Sequence, residues 1–270
     1  MRIVVVGRTS FLAEHIVTAA RAEGLEADVA GHADDLPAAF RDAQAVVNCA
    51  LSPAFRTAPY RAEEDFDLAV ARTAQAAGAH FTLLSTRRVY PPRARWNAVE
   101  DGPAGGDETG YGHNKARSEA AVRAVTGGAC TIFRLSNIFG LERRAERRTF
   151  MSAMLASLRR EGVIRFDMDP ASRRDFLPVE VMAATIARHL RQPAPGVFNL
   201  GCGFPVSCGE IAAWLMEGHG GGRLVADGPV RDEFFLNMDR TRARWGFDMD
   251  AARLRRRCVA IGRELSCEKS

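Results

Sequence analysis

Tyr111 and Lys115 stand four residues apart in Tyr111-Gly112-His113-Asn114-Lys115, after a Gly/Asp-rich loop and before an Ala/Glu-rich helical run. Four residues is about one helical turn, so phenol and ammonium share one helix face. A free tyrosine titrates near ~10, too high to exchange protons usefully at neutral pH. A neighbouring cation favours the phenolate and brings such a group toward the range that general acid/base catalysis uses. The same spacing also occurs on ordinary half-exposed helices. What surrounds the pair therefore decides whether it does chemistry.

The elements that must position it alternate through the first half of the chain. Strand-like runs are Ile3-Val6, Ala27-Ala30, Ala45-Cys49, His80-Ser85 and Cys130-Leu135, and helices fall at Phe11 to Ala22, Leu36 to Arg41, Ala62 to Ala77 and Tyr111 to Val125. Alternation of this kind predicts parallel βαβ units and a doubly wound α/β sheet. The segment Gly31 to Ala45 is short enough to omit a strand. Later residues predict helices at Phe150-Arg160, Val179-Arg191 and Ser207-Glu217, a strand at Val197-Leu200 and a terminal helix from Asp250. The run Gly218-His219-Gly220-Gly221-Gly222 predicts a turn or loop.

Composition narrows the class. The chain has 270 residues, 47% apolar and 26% charged, enough for one large soluble α/β unit with an appendage. Its net charge of +4 is dispersed, and a run such as Arg253-Leu254-Arg255-Arg256-Arg257 reads as a solvated helix face, so no nucleic-acid partner is expected. Six cysteines show no Cys-x-x-Cys and no zinc-type spacing with histidine, so reduced thiols and no metal are expected. Cys49, Cys130, Trp214 and Trp245 are assigned to core packing. The first residues run straight into a strand without a signal-peptide pattern, and no apolar run approaches ~18 residues, so a cytoplasmic protein without membrane association is expected.

The first strand feeds Gly7-Arg8-Thr9-Ser10-Phe11-Leu12-Ala13 and then a helix. A glycine-bearing turn there lets backbone N–H groups and the helix dipole receive a pyrophosphate, as in a Rossmann-type domain. Of a Gly-x-x-Gly-x-x-Gly spacing only Gly7 is present, with Ser10 and Ala13 in the other places. Cofactor contacts are expected from Gly7, Arg8, Ser10, Phe11 and Leu12. The second strand ends Ala30-Gly31-His32 with no acid for a ribose 2′-hydroxyl, and Arg8 suits a 2′-phosphate, so NADP(H) is expected over NAD(H).

Taken in order, these pieces resemble the extended short-chain dehydrogenase/reductase family, most of whose members act on nucleotide-activated sugars. The resemblance runs from the loop at Gly7 through Asn48-Cys49-Ala50, Leu84-Ser85-Thr86-Arg87-Arg88-Val89-Tyr90 and Tyr111 to Lys115. It continues in Arg134-Leu135-Ser136-Asn137-Ile138-Phe139-Gly140, Arg174-Asp175-Phe176 and Phe198-Asn199-Leu200-Gly201. It implies that Tyr111 handles the proton of a substrate carbonyl or hydroxyl. Thr86 would bond the same oxygen, while Lys115 would tune Tyr111 and hold the nicotinamide ribose, and Ala50 would lie beside the cofactor. Thr86, Arg87, Asn137 and Arg174 would meet the substrate, Arg174 with a fork suited to phosphate. Residues 1–145 would form the dinucleotide-binding domain and 146–270 a smaller substrate-binding part, with about 176–200 returning to the core. A homodimer is implied as well.

The residues after Thr86 separate the chemistries. Sugar 4,6-dehydratases of the family carry Thr-Asp-Glu there, because eliminating water needs an acid and a base besides the tyrosine; this chain has Thr86-Arg87-Arg88. Members that epimerise at C3 and C5 place a cysteine where Arg87 stands. What remains is reduction of a 4-keto group on a nucleotide-activated (deoxy)sugar, as in deoxysugar biosynthesis, or inversion of C4 by oxidation and re-reduction. Chain length and the shortened Gly31 to Ala45 segment point to the reductase. The alternatives are the epimerase, a reductase of a non-sugar carbonyl, and a dinucleotide-binding sensor without turnover.

Overall fold

The computed structural model describes residues 1–106, 110–142 and 149–267. The first half contains β1 (Arg2–Val6), α1 (Phe11–Ala22), β2 (Glu26–Ala30), α2 (Leu36–Ala39), β3 (Ala45–Asn48), α3 (Phe66–Ala76), β4 (His80–Thr86), α4 (Tyr111–Val125) and β5 (Cys130–Leu135). The second half adds β6 (Asn137–Phe139), α5 (Phe150–Glu161), β7 (Val163–Phe166), β8 (Arg173–Arg174), β9 (Phe176–Pro178), α6 (Val179–Arg191) and β10 (Gly196–Leu200). It closes with β11 (Val206–Ser207), α7 (Cys208–His219), β12 (Arg223–Ala226), α8 (Asp239–Trp245) and α9 (Ala251–Cys267).

Six strands form one parallel sheet in the order β10-β5-β4-β3-β1-β2. Residues Ile3 to Val6 of β1 are buried on both faces, the condition that favours an uninterrupted β-branched run in a parallel strand. Because the chain leaves β1 for β2 on one side and returns to β3 on the other, the C-terminal ends of β1 and β3 flank a topological switch point, where doubly wound folds bind ligands. β2 is the sheet edge, so the segment between β2 and β3 carries only the single-turn α2 and no further strand.

Two helical readings change. The helix expected from Ala62 begins at Phe66, after a 3-10 turn at Ala62–Glu64, because the Asp65 side chain accepts the N–H groups of Asp67 and Leu68 and caps it there. Gly218, expected in a turn, lies inside α7, which ends at Gly220 in a left-handed conformation. A Cβ on Gly218 would lie 1.9 Å from the Val259 carbonyl, and one on Gly262 would lie 2.1 Å from that of Leu215, so these glycines let α7 and α9 pack backbone to backbone.

Most helices bury an apolar stripe; α1, for example, buries Ala13, Ile16, Val17 and Ala20. α4 instead buries Asn114, Lys115, Ser118 and Glu119 along with Val122. Buried polar groups need partners, so this face marks where the fold spends its hydrogen bonds. Among the described residues no helix is long and apolar enough to cross a membrane.

Candidate functional site

Gly7 sits at the end of β1 with φ +124, and a Cβ there would come within 3.0 Å of the Ala50 nitrogen and 3.1 Å of the Cys49 carbonyl carbon. Only glycine allows this crossing. Asn48 fixes the opposing strand end, accepting the Ala50 N–H (3.0 Å) and donating to the Ala50 carbonyl (3.2 Å). Ser10 is the N-cap of α1 and its side chain makes no capping bond. Phe11 and Leu12 open the helix, half-buried. The cradle at Gly7, on the switch point and at a helix N-terminus, fits a dinucleotide pyrophosphate. Cys49 is half-buried and packs against the main core, beside Gly7.

The ribose side corrects the cofactor expectation. Arg8 is not free to meet a 2′-phosphate: its Nη2 lies 2.5 Å from Asp34 Oδ2. Asp34 also accepts the backbone N–H of Gly31 (2.8 Å), which places the carboxylate beside the end of β2. The Gly31 N–H bond first, and then Arg8, hold the Asp34 carboxyl below the usual range. An ionised carboxylate there repels a 2′-phosphate and can accept a 2′-hydroxyl hydrogen, which is NAD chemistry. Asp34 carries no sequence signal, because it lies three residues past Gly31 and only the turn brings it back.

Tyr111 is the first residue of α4 and Lys115 lies one turn on. A Cβ on Gly112 would be 2.3 Å from the Arg88 carbonyl oxygen, so the start of α4 rests directly on the 3-10 turn that follows Thr86. Tyr111 is thereby brought to the C-terminal end of β4 where Thr86 sits. Thr86 Oγ1 accepts the Arg88 N–H (3.3 Å), which leaves its hydroxyl hydrogen available to donate. Lys115 is buried, donating to Asp67 Oδ2 (2.6 Å) and the Leu84 carbonyl (3.1 Å). Asn114 donates to the carbonyls of Phe55 and Ala58, both at 2.8 Å, tying the loop after β3 to α4. Through that loop Arg56 comes over the Tyr111 ring, 5.5 Å from its centroid. Neither Asp67 nor Arg56 has a sequence signal, because both reach the site across the fold.

Beyond the Thr86 turn, Arg87 is buried and grips Asp232 with two bonds, 2.8 and 2.6 Å, under the face of Phe234. Arg95 and Arg174 approach the same carboxylate at 3.5 Å each. Burial works against the ionised Asp232, yet the Arg87 hydrogen bonds and charge outweigh it and hold the carboxyl below its ordinary value. Arg174 does not pair with the adjacent Asp175. That carboxylate is fully buried and accepts the N–H groups of Cys202 (2.7 Å), Gly203 and Leu236 (3.2 Å each), pinning the end of β10 to the chain before α8. Asn137 pairs in register with Phe176, and its side-chain nitrogen is buried without a partner. Arg174 Nε is in the same condition. Thr86 and Arg87 are therefore adjacent to the Tyr111 end of α4, while Asn137 and Arg174 lie on the short β6–β9 and β8–β11 pairings beyond it.

Residues 3–201 match the profile of the NAD dependent epimerase/dehydratase family. No curated protein sequence matches the chain. Among solved structures, it is similar to a UDP-N-acetylglucosamine 4-epimerase from Methanobrevibacter ruminantium M1 in complex with UDP-N-acetylmuramic acid (14% identity, TM-score 0.82, covering 100% of this chain and 99% of that one). It is also similar to a UDP-glucuronic acid 4-epimerase from Bacillus cereus in complex with a fluorinated UDP-glucuronic acid and NAD (14%, TM-score 0.80, 99% and 100%). A third is the NAD-dependent NDP-hexosamine 5,6-dehydratase TunA of tunicamycin biosynthesis (17%, TM-score 0.77, 100% and 98%). The NAD of the family description and of the last two of these structures overturns the NADP expectation, in agreement with the Arg8–Asp34 pair.

Proposed function

The chain belongs to the NAD-dependent epimerase/dehydratase family, and on that premise we propose that it reduces the 4-keto group of a nucleotide-activated sugar. The observation that carries this reading is the turn after Thr86. Arg87 and Arg88 stand where elimination would need an acid and a base, and Arg87 is committed to Asp232. Proton transfer then falls to Tyr111, at a single carbon.

Bound NAD(H) supplies or accepts the hydride. The chain's own residues do the rest. Thr86 donates its hydroxyl hydrogen to the substrate oxygen, and Tyr111 gives or takes that oxygen's proton. Lys115 keeps positive charge beside the phenol. Arg174 and Asn137 present buried, unpartnered donors suited to an anionic or hydroxylated part of the substrate.

Inversion at C4 is the second reading, and the Arg8–Asp34 pair favours it, since an enzyme selective for NAD can oxidise and re-reduce one substrate without drawing on NADPH. A single experiment separates them. Purified protein is mixed with NADH and 4-keto nucleotide sugars while absorbance is followed; oxidation of NADH supports the reductase. C4 inversion of a saturated nucleotide sugar with no net absorbance change supports the epimerase. If no nucleotide sugar is altered and no dinucleotide binds, both readings fail.

A further inference from the structure

Lys115 and Asp67 form an ion pair 2.6 Å long whose side chains are only 4% and 2% exposed. Asp67 is itself anchored, since its Oδ1 accepts from Asn48 Nδ2 at 2.7 Å and the Ser118 hydroxyl approaches Oδ2 at 3.5 Å. An ammonium has three donors. Here Asp67 and the Leu84 carbonyl take two of them.

We infer that Asp67 positions Lys115, holding its ammonium so that one donor remains for the Tyr111 oxygen or for a ribose hydroxyl of the cofactor. Its geometry stands on these contacts, and its consequence for catalysis rests on the proposed hydride transfer.

Residue usage within the chain supports the assignment. Lys115 and Lys269 are the only lysines in 270 residues, whereas every other cationic side chain apart from histidine is arginine. A compact ammonium with rotatable donors suits a pocket between a carboxylate and a carbonyl, where a planar guanidinium fork would not. The groups facing the ammonium are Asp67 and Asp65 of the α3 start and Tyr111 of its own helix. Cys49 lies past the end of β3, and the Phe55 ring centroid is 5.7 Å away. Behind Asp65 stand Tyr60 and, over its ring, Arg117. Burial alone would discharge the lysine; Asp67, and next Tyr111, overcome that and raise its pKa.

With only two lysines, a protein labelled at lysine Cε gives two side-chain signals, and their pH titration reads Lys115 directly. In the wild-type chain the Lys115 signal is expected to titrate above the ordinary lysine value of ~10.4. In Asp67→Asn it should fall by at least about one pH unit, and in Asp67→Glu it should stay high, because the carboxylate charge is what sustains the ammonium. In the same variants kcat should drop about ten-fold or more for Asn and recover in part for Glu, with KM for the sugar nucleotide changed about two-fold or less. A wild-type Lys115 that titrates at or below the ordinary value overturns the inference, and this measurement needs no variant to fold. An Asp67→Asn titration indistinguishable from wild type overturns it equally. Absence of turnover in a protein whose Lys115 titrates as described counts against the reaction and not against the ion pair.

Discussion

Arg8 Nη2 and Asp34 Oδ2 lie 2.5 Å apart, at the point where the shortened segment after β2 turns back toward the glycine-bearing loop. The pair engages Arg8, the cation that the sequence offers to a 2′-phosphate, with a carboxylate. Removing the carboxylate should release it: Asp34→Ser is expected to raise affinity for NADP relative to NAD about ten-fold, worth about 1.4 kcal/mol. Titrations with NADH and NADPH followed by the fluorescence of the reduced nicotinamide check this. An unchanged preference would show that the discrimination lies elsewhere.

Tyr111→Phe removes the proton and keeps the ring against Arg56. Loss of a positioned acid/base group costs about 10²–10⁴ in rate, so kcat should fall by that factor while the melting temperature stays within a few degrees. Steady-state kinetics and thermal unfolding on one preparation decide the matter. Retained activity would remove Tyr111 from the mechanism.

Gly112→Ala places a methyl 2.3 Å from the Arg88 carbonyl oxygen, a backbone atom that cannot swing aside. The N-terminus of α4 must move away from the Thr86 turn. Overpacking of this kind costs about 1–3 kcal/mol, and the displacement should lower kcat beyond what the stability loss explains. Thermal unfolding gives the first quantity and kinetics well below the transition the second.

His189 is buried on α6, with Nε2 2.9 Å from Thr82 Oγ1. Burial first, and then the nearby His80 and Arg244 charges, push its pKa down to about 3. An unfolded histidine titrates near ~6.5, so between those values the unfolded chain binds more protons than the folded one. The stability that a neutral His189 contributes is therefore complete above the unfolded pKa and drains away as pH falls toward the folded one. His189→Leu should flatten denaturant midpoints between pH 7 and 5, approximately the upper part of that window. A variant that keeps the wild-type slope would assign the acid sensitivity to other groups.

Much of this protein was legible in its residues. The parallel sheet follows from β-branched runs alternating with helical periods, because both patterns are local and need no knowledge of what packs where. Tyr111 and Lys115 could be paired because they share one helix, whose geometry is fixed by chain spacing alone. The Gly7 turn and the shortened link between β2 and β3 were visible for the same reason. What tertiary structure decided are the partners of charges. Asp34 turns back onto Arg8, Asp232 arrives from far along the chain to hold Arg87, and Asp67 crosses from α3 to hold Lys115. Pairings between distant segments depend on how sheet and helices close around them, and burial sets how strongly each charge requires its partner. Sequence named the groups with acid/base chemistry; folding determined which neighbours each one answers to, because those neighbours come from segments that only the closed fold brings together.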